Sequence, residues 1–388
     1  MTQRPERTFD VVIIGGGIAG VSVAYELATD HRVALIEMEP ALAHHTTGRS
    51  AAAFLESYGG PVIRALTTAS RSFLMDPPDG FDGPLMTPRP LLWIAPAGRG
   101  SSVVDHHAEV RQLVSTVELI SGPDAEALFP LLSPGWTEQA MIEPEAMDMD
   151  VHAIHQGYVR GLRSRGGEIH VATPAISLSR DAAGWHVDTP QGTFHTPLVI
   201  NAAGAWADVL AGRAGVRPIG IHPLRRTIFM VNAPDGIGPS ADWPLIGDLD
   251  GTFYMKPEGT QFLCSPADET PSEPCDARPE EVDIAQALDI INDAMTINAR
   301  HVRSSWAGLR SFVVDRVPVA GFDDEAEGWF WLVGQGGYGI QTAPALARSA
   351  ASLIRSGTVP DDVLARGTHP TDLHRARLVG AANLLAGH

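Results

Sequence analysis

Hydrophobic positions in this chain change rhythm in a readable order. A continuous β-branched run, Val11–Ile14, leaves no polar position for solvent, which predicts a strand inside a parallel sheet. A helical spacing follows at Val21, Ala24, Tyr25 and Leu27, and then "RVALIE", a second strand closing on Glu37. Small residues in "HHTTGRSAAAF" predict a loop entering a helix. Prolines crowd residues 77–96, and helical spacing resumes over 105–119 and 150–165. Strands separated by a hairpin lead to another apolar strand, residues 198–201, and the turn "AAGAW". Short strands broken by Pro and Gly are expected over 216–311, with one helix over 281–296, and a last helix from about Thr342.

This order predicts an interleaved α/β architecture. A Rossmann-like nucleotide-binding sheet draws on residues 1–80, 145–215 and 325–388, and a β-rich α+β domain on residues 81–144 and 216–324. The length, 388 residues, is ample for two cores. Hydrophobic residues at 44% exclude a disordered chain. A formal charge of −18 argues against nucleic acid or an anionic membrane surface as partner, and makes any pocket arginine conspicuous. Cys264 and Cys275 lack metal or redox spacing, no metal site is expected, and there is no run for a transmembrane segment. A cytoplasmic protein is the expectation, with peripheral membrane contact through an electron acceptor as a variant.

Between the first strand and helix lies "GGGIAG". Gly15 permits the tight turn, Gly17 clears space for a pyrophosphate and Gly20 lets helix and strand approach. The helix N-terminus favours the diphosphate charge, and Glu37 suits a ribose and disfavours NADP. NAD and FAD remain open on these residues.

"HTTGRSAA", "RALTTASRSF", "VINAAGAWAD", "GVRPIGIHPLRR", "FYMKP", "WAGLRSFV" and "GQGGYGIQT", in that order, resemble the FAD-dependent D-amino-acid oxidase and glycine oxidase superfamily, and within it the bacterial D-arginine dehydrogenases most closely. The resemblance runs nearly end to end. It implies non-covalent FAD, since the cysteine that attaches flavin in some relatives is missing near "LRSFVVD". By similarity Gly15, Gly17, Ile18, Ala19, Gly20, Glu37 and Met38 hold the ADP half, Ala175, Ala203, Gly204 and Trp206 the adenine side. Thr47, Arg49, Ser50, Ala51, Gly337, Tyr338, Gly339, Ile340, Gln341 and Thr342 complete the contacts towards the flavin.

The resemblance also implies a carboxylate clamp of Tyr58, Arg226, Tyr254 and Arg310, with the Gly337 carbonyl on the substrate amine and Gln341 on an ordered water. Strand alternation lets only one of Arg225 and Arg226 face the pocket, and the family pattern selects Arg226. A glutamate that pairs with guanidinium in D-arginine dehydrogenases is Leu91 here, and a histidine and a threonine fall on Ala53 and Leu55. With Leu245 and Gly247 these define an apolar side-chain pocket, in which a buried guanidinium would stay unpaired. The implied reaction is oxidative deamination of an apolar or uncharged D-amino acid, by hydride transfer to flavin N5, as a dehydrogenase passing electrons to a quinone, another acceptor or O2. The alternatives are an amine oxidase acting on glycine, sarcosine or a cyclic imino acid, and a flavin-binding subunit of a larger electron-transfer complex.

Overall fold

The computed structural model describes residues 6–234 and 236–379. Val11–Ile14 lies inside a six-stranded sheet, between Val33–Ile36 and Leu198–Asn201, and all four of its residues are buried. Glu168–His170 extends this sheet on one side, Trp329–Val333 and then Val319–Phe322 on the other; only the last pairing is antiparallel.

Alternation sorts the sheet's side chains onto two faces. Val11, Ile13, Leu35 and Ile200 pack beneath the helices Ile18–Leu27, Val151–Ser164 and Gly339–Ser356. Val12, Ile14, Trp329 and Trp331 pack against Trp185, Val187 and Phe194 of a four-stranded sheet. A sheet covered on both faces needs the unbroken apolar runs seen in the sequence.

A second, mostly antiparallel sheet contains Leu91–Ile94, Gln139–Glu143, Leu245–Asp248, Tyr254–Glu258 and two strands of 11 residues, His222–Asn232 and Val302–Phe312. Helix Glu281–Ala294 contributes Ala287, Ile291 and Ala294 to the core on this sheet. A small sheet joins Ala53–Phe54, Met147–Met149 and Met86–Pro88.

Local expectations need four corrections. The helix expected over 105–119 is Gly100–Val110 followed by strand Glu118–Ser121, because the apolar positions 117–120 meet Gln139–Glu143 as a strand. The "HHTTGRSAAAF" segment makes a 3₁₀ turn, Thr46–Arg49, and then an extended pair; its helix starts only at Pro61. The strands of the second sheet include long ones, since His222–Asn232 and Val302–Phe312 pair along their length. The last helix starts at Gly339 and tolerates Pro344: Ala345 donates its N–H to Ser70 Oγ at 3.1 Å, outside the helix.

Candidate active site

The glycine loop is shaped by contacts that only glycine allows. Gly15 has φ +120°, and a Cβ there would lie 2.3 Å from the Ala202 carbonyl oxygen. A Cβ on Gly20 would sit 1.8 Å from the Gly15 carbonyl, so this glycine sets the helix-to-strand distance. Gly16, passed over in the sequence, is equally constrained: a Cβ would meet Leu42 at 2.4 Å and Glu37 Oε2 at 3.0 Å. Glu37 accepts the N–H of Gly16 at 2.6 Å and that of Glu39 at 2.9 Å, which locks its carboxylate beside the loop. Buried His155, its imidazole pushed down by burial, donates to the Gly16 carbonyl at 3.0 Å.

From this loop a cleft runs along the carboxyl ends of the strands. Gly15, Gly17, Ile18, Ala19, Glu37, Met38, Thr47, Ala175, Ala203, Gly204, Trp206 and Gly339 line it. Sequence reasoning missed His45, which pairs with Glu39 at 2.9 Å and stacks on Trp206 at 4.5 Å between ring centroids. An inner cavity continues the cleft past Thr47 and Gly339 and adds Arg49, Ser50, Ala51, Arg226, Arg310, Gly337 and Ile340.

Five of the expected residues make contacts of their own within the protein. Gly20 packs the helix onto its strand. Arg49 lines the cavity with its chain but donates to the carbonyls of His44, Ala277 and Ala307 and pairs with Asp276, tying the loop to the second sheet. Tyr338 packs tilted against Tyr58 and edge-to-face with Phe312, and the Thr342 hydroxyl is spent inside its helix on the Tyr338 carbonyl at 2.9 Å. Gln341 is buried: its Oε1 accepts from Leu55 N–H at 3.2 Å and its Nε2 donates to Thr67 Oγ1 at 2.8 Å. Its amide therefore fixes the wall of the pocket, with its carbonyl and N–H already engaged.

The clamp residues do converge. Strand pairing sets Leu224 opposite Arg310 and Arg226 opposite Gly308, so both arginines stand on one face. Arg225 points away and is taken by Asp283 at 2.7 Å and by Glu280. Arg310 donates to the Tyr58 hydroxyl at 3.4 Å. Burial opposes ionisation of that hydroxyl, but Arg310 and Arg226 outweigh it and hold the phenol below its ordinary pKa. For Arg226, burial and the neighbouring Arg310 both push the pKa down. Its Nε donates to the Asp268 carbonyl at 2.8 Å and its Nη2 to Glu269 at 3.2 Å, which leaves Nη1 for a ligand. The buried Tyr254 hydroxyl has no partner among the described residues, as expected of a donor awaiting one. A Cβ on Gly337 would lie 2.8 Å from Arg310 Cζ, and one on Gly336, also missed, 2.0 Å from the Phe312 ring.

Ala53, Leu55, Leu91 and Leu245 form one apolar cluster with Tyr58 and Trp93. Gly247 makes room for the Trp93 indole, whose ring atoms would come within 2.7 Å of a Cβ. Behind the wall lies Glu143, a residue with no signal in the sequence beyond an acid on an apolar strand. It pairs across strands with Leu91 and accepts the N–H of Glu56 at 2.7 Å, that of Ser57 at 3.3 Å and the Ser57 hydroxyl. The Ser57 oxygen in turn accepts from Trp93 Nε1 at 3.1 Å. Burial pushes the Glu143 carboxyl up to about 7. The native state then holds a proton that the unfolded chain releases near pH 4.5, so the associated stability is full below pH 4.5 and is lost as pH rises through 7. Glu143→Gln should flatten the fall in melting temperature between pH 5 and 8; melting curves that decline in parallel for both proteins would contradict this assignment.

The family model described as "FAD dependent oxidoreductase" matches residues 10–353. The chain belongs to this family. The chain is also similar to proteins of known name. "FAD-dependent oxidoreductase domain-containing protein 1" of Bos taurus is 26% identical over 91% of this chain and 82% of its own length. Glycine oxidase of Geobacillus kaustophilus (strain HTA426) is 25% identical over 91% of this chain and 94% of its own. The crystal structure of glycine oxidase from Geobacillus kaustophilus superposes with a TM-score of 0.78 at 23% identity, covering 90% of this chain and 95% of that one, which shows the shared fold. The match is to the superfamily; the narrower likeness to D-arginine dehydrogenases rests on the motifs alone.

The protein is thus an FAD-dependent oxidoreductase. The cleft fits FAD: Gly15, Gly17 and Gly204 line it with bare backbone, and two helices present N-termini whose cap residues, Gly17 and Tyr338, make no side-chain cap bond. Among the described residues, no helix is long and apolar enough to cross a membrane.

Proposed function

We propose that this enzyme oxidatively deaminates D-amino acids with apolar or uncharged side chains to 2-oxo acids and ammonia, as a dehydrogenase. One observation carries the reading: two guanidiniums line the cavity that continues the dinucleotide cleft, and one of them, Arg310, is bonded to the hydroxyl of Tyr58, which packs against the apolar cluster of Leu55, Leu91 and Leu245. FAD, when bound, supplies the two-electron acceptor for the substrate's Cα–H. In this reading Gly15, Gly17 and the helix they open take its diphosphate, Glu37 a ribose, and Ser50, Ala51 and Gly337 border its ring.

The chain's own work is orientation and charge. Arg226 Nη1, Arg310 and the Tyr58 and Tyr254 hydroxyls hold the carboxylate, and charge-assisted bonds of this kind are the strong ones. The two arginines also lower the pKa of a bound ammonium, so the amine loses its proton to solvent and presents its lone pair. The Gly337 carbonyl accepts from the amine, and the Leu91 wall receives the side chain and excludes water. The helix Gly339–Ser356 directs its positive N-terminus towards the cavity, where negative charge gathers on reduction. The resulting imine hydrolyses in water.

Leu91 offers no charge to a cationic side chain, so D-arginine is a poor fit. Lys256, the sole lysine, is held by Asp148 at 2.8 Å and Glu258 at 3.1 Å and is not among the inner-cavity residues. Its engagement favours a dehydrogenase over an oxidase that uses lysine to activate oxygen. A second reading, glycine or a small secondary amine as substrate, is favoured by the glycine oxidase relative and by Trp93 filling the space at Gly247.

Anaerobic bleaching of the bound flavin across D-amino acids, N-methyl amino acids and simple amines tests both readings. Apolar D-amino acids should bleach fastest, with little peroxide under air. D-arginine or D-lysine as the best substrate, or stoichiometric peroxide, would overturn the first reading; preference for glycine or sarcosine would establish the second.

A further inference from the structure

The carboxylate clamp is not purely cationic. Glu269 accepts from Arg226 Nη2 at 3.2 Å and receives both arms of Arg316, Nη1 at 3.0 Å and Nη2 at 2.7 Å. Arg316 is built firmly into this position: its guanidinium lies 3.9 Å above the Phe312 ring, and its backbone holds φ +61°, a conformation unfavourable for a side-chain-bearing residue. The neighbouring acid, Asp268, faces elsewhere, with its carboxylate on the Thr227 N–H at 2.6 Å and hydroxyl at 3.0 Å. Among the acids it is therefore Glu269 that is bonded to the clamp. Burial works against its charge, but Arg316, Arg226 and Arg310 together hold its carboxyl below the ordinary range, and it is anionic at neutral pH.

We propose that Glu269 is a specificity-determining counter-anion, whose fixed negative charge makes the cavity prefer ligands that carry an amine beside the carboxylate over bare carboxylates such as the deaminated product. The identity of that product rests on the amine-oxidation reading; the charge argument itself does not. A fixed charge acts in full on a bare anion. On an amino acid entering as a zwitterion, before its ammonium releases a proton, the effects on the two ends nearly cancel, because one carbon separates carboxylate from ammonium. The result is a site that takes up substrate and releases its 2-oxo acid, although both share the group that the arginines grip. For a partly exposed acid at this range the discrimination amounts to about five- to tenfold.

The test is Glu269→Gln in the FAD-loaded enzyme. Benzoate and a 2-oxo acid are titrated against the oxidised protein, with perturbation of the flavin absorbance as readout, and the amino-acid Kd is taken from the concentration dependence of anaerobic bleaching. The variant should bind both bare carboxylates about five- to tenfold more tightly while the amino-acid Kd moves less than about twofold. Glu269→Asp, which keeps the charge, should restore the wild-type ratio, and Glu273→Gln, at an exposed acid four residues further along the chain, should leave all affinities unchanged. Unchanged or weaker benzoate binding in Glu269→Gln, or an equal gain for benzoate and amino acid, overturns the proposal. Should no amino acid bleach the wild-type flavin, the functional reading falls, while the benzoate comparison still decides the role of Glu269.

Discussion

Arg310→Met should retain FAD and lose about 100- to 1000-fold in kcat/KM for the best amino-acid substrate, since removing one partner of a desolvated charge pair costs about 2–5 kcal/mol. The loss is expected to be catalytic and not structural. Among the described residues Arg310 has the Tyr58 hydroxyl as its side-chain hydrogen-bond partner, at 3.4 Å, and stands near the like charge of Arg226, whose pKa it depresses. A methionine of similar length relieves that repulsion, so the melting temperature should hold or rise. Arg310→Lys should recover only part of the activity, because an ammonium lacks the planar fork. Wild-type kcat/KM for Arg310→Met across the panel would remove this residue from the clamp.

Gly337→Val should separate substrate oxidation from cofactor retention. Its first added carbon would arrive 2.8 Å from Arg310 Cζ and from Nη1, and the branched remainder would extend into the inner cavity. The Gly15 loop and the strand-helix crossing at Gly20 lie outside this contact. Flavin content should therefore stay near one per chain, while the rate of anaerobic bleaching falls about 100-fold, the scale of a misplaced reacting geometry. Gly20→Val offers the contrast: an added carbon 1.8 Å from the Gly15 carbonyl forces helix from strand and should abolish FAD binding. If Gly337→Val lost its flavin as readily as its activity, the second glycine loop would be part of the cofactor's anchorage.

Parts of the fold were legible because they depend on neighbours in sequence. Val11–Ile14, buried throughout, needed only its own composition to read as an interior strand. The helix after it followed from spacing, and Glu37 from its position at the end of the next strand. Misreadings arose where composition is ambiguous. Residues 117–120 carry apolar positions that suit helix or strand, and pairing with Gln139–Glu143 decided the matter. Small residues in "HHTTGRSAAAF" suggested a loop entering a helix, but its last two residues, Ala53–Phe54, are drawn into an extended pair with Met147–Met149.

In the site, the choice of Arg226 over Arg225 needed alternation and motif position, and the strand register places them as expected. Glu143 and Glu269 were invisible, for an acid in a sequence does not reveal which group it will face. Gly16 and Gly336 were hidden among glycines, and their constraint comes from Leu42 and Phe312 pressing on them. Gln341 lay in a recognisable motif, yet its amide is committed to Leu55 and Thr67, far upstream in the chain.

By itself the sequence determined the strand-glycine-helix-strand unit with its terminal acid, the pool of arginines and tyrosines, and the exchange of polar for apolar residues at Ala53, Leu55 and Leu91. These follow from residues that act within one local segment. The tertiary structure alone decided that Tyr58 meets Arg310 across 252 positions, and that Glu269 shares Arg226 with Arg316. Charge and hydrogen-bond energies depend on distances of a few ångströms, and between segments so remote in sequence only strand pairing in the second sheet, and the packing of Tyr58 against Phe312 and Leu224, set those distances.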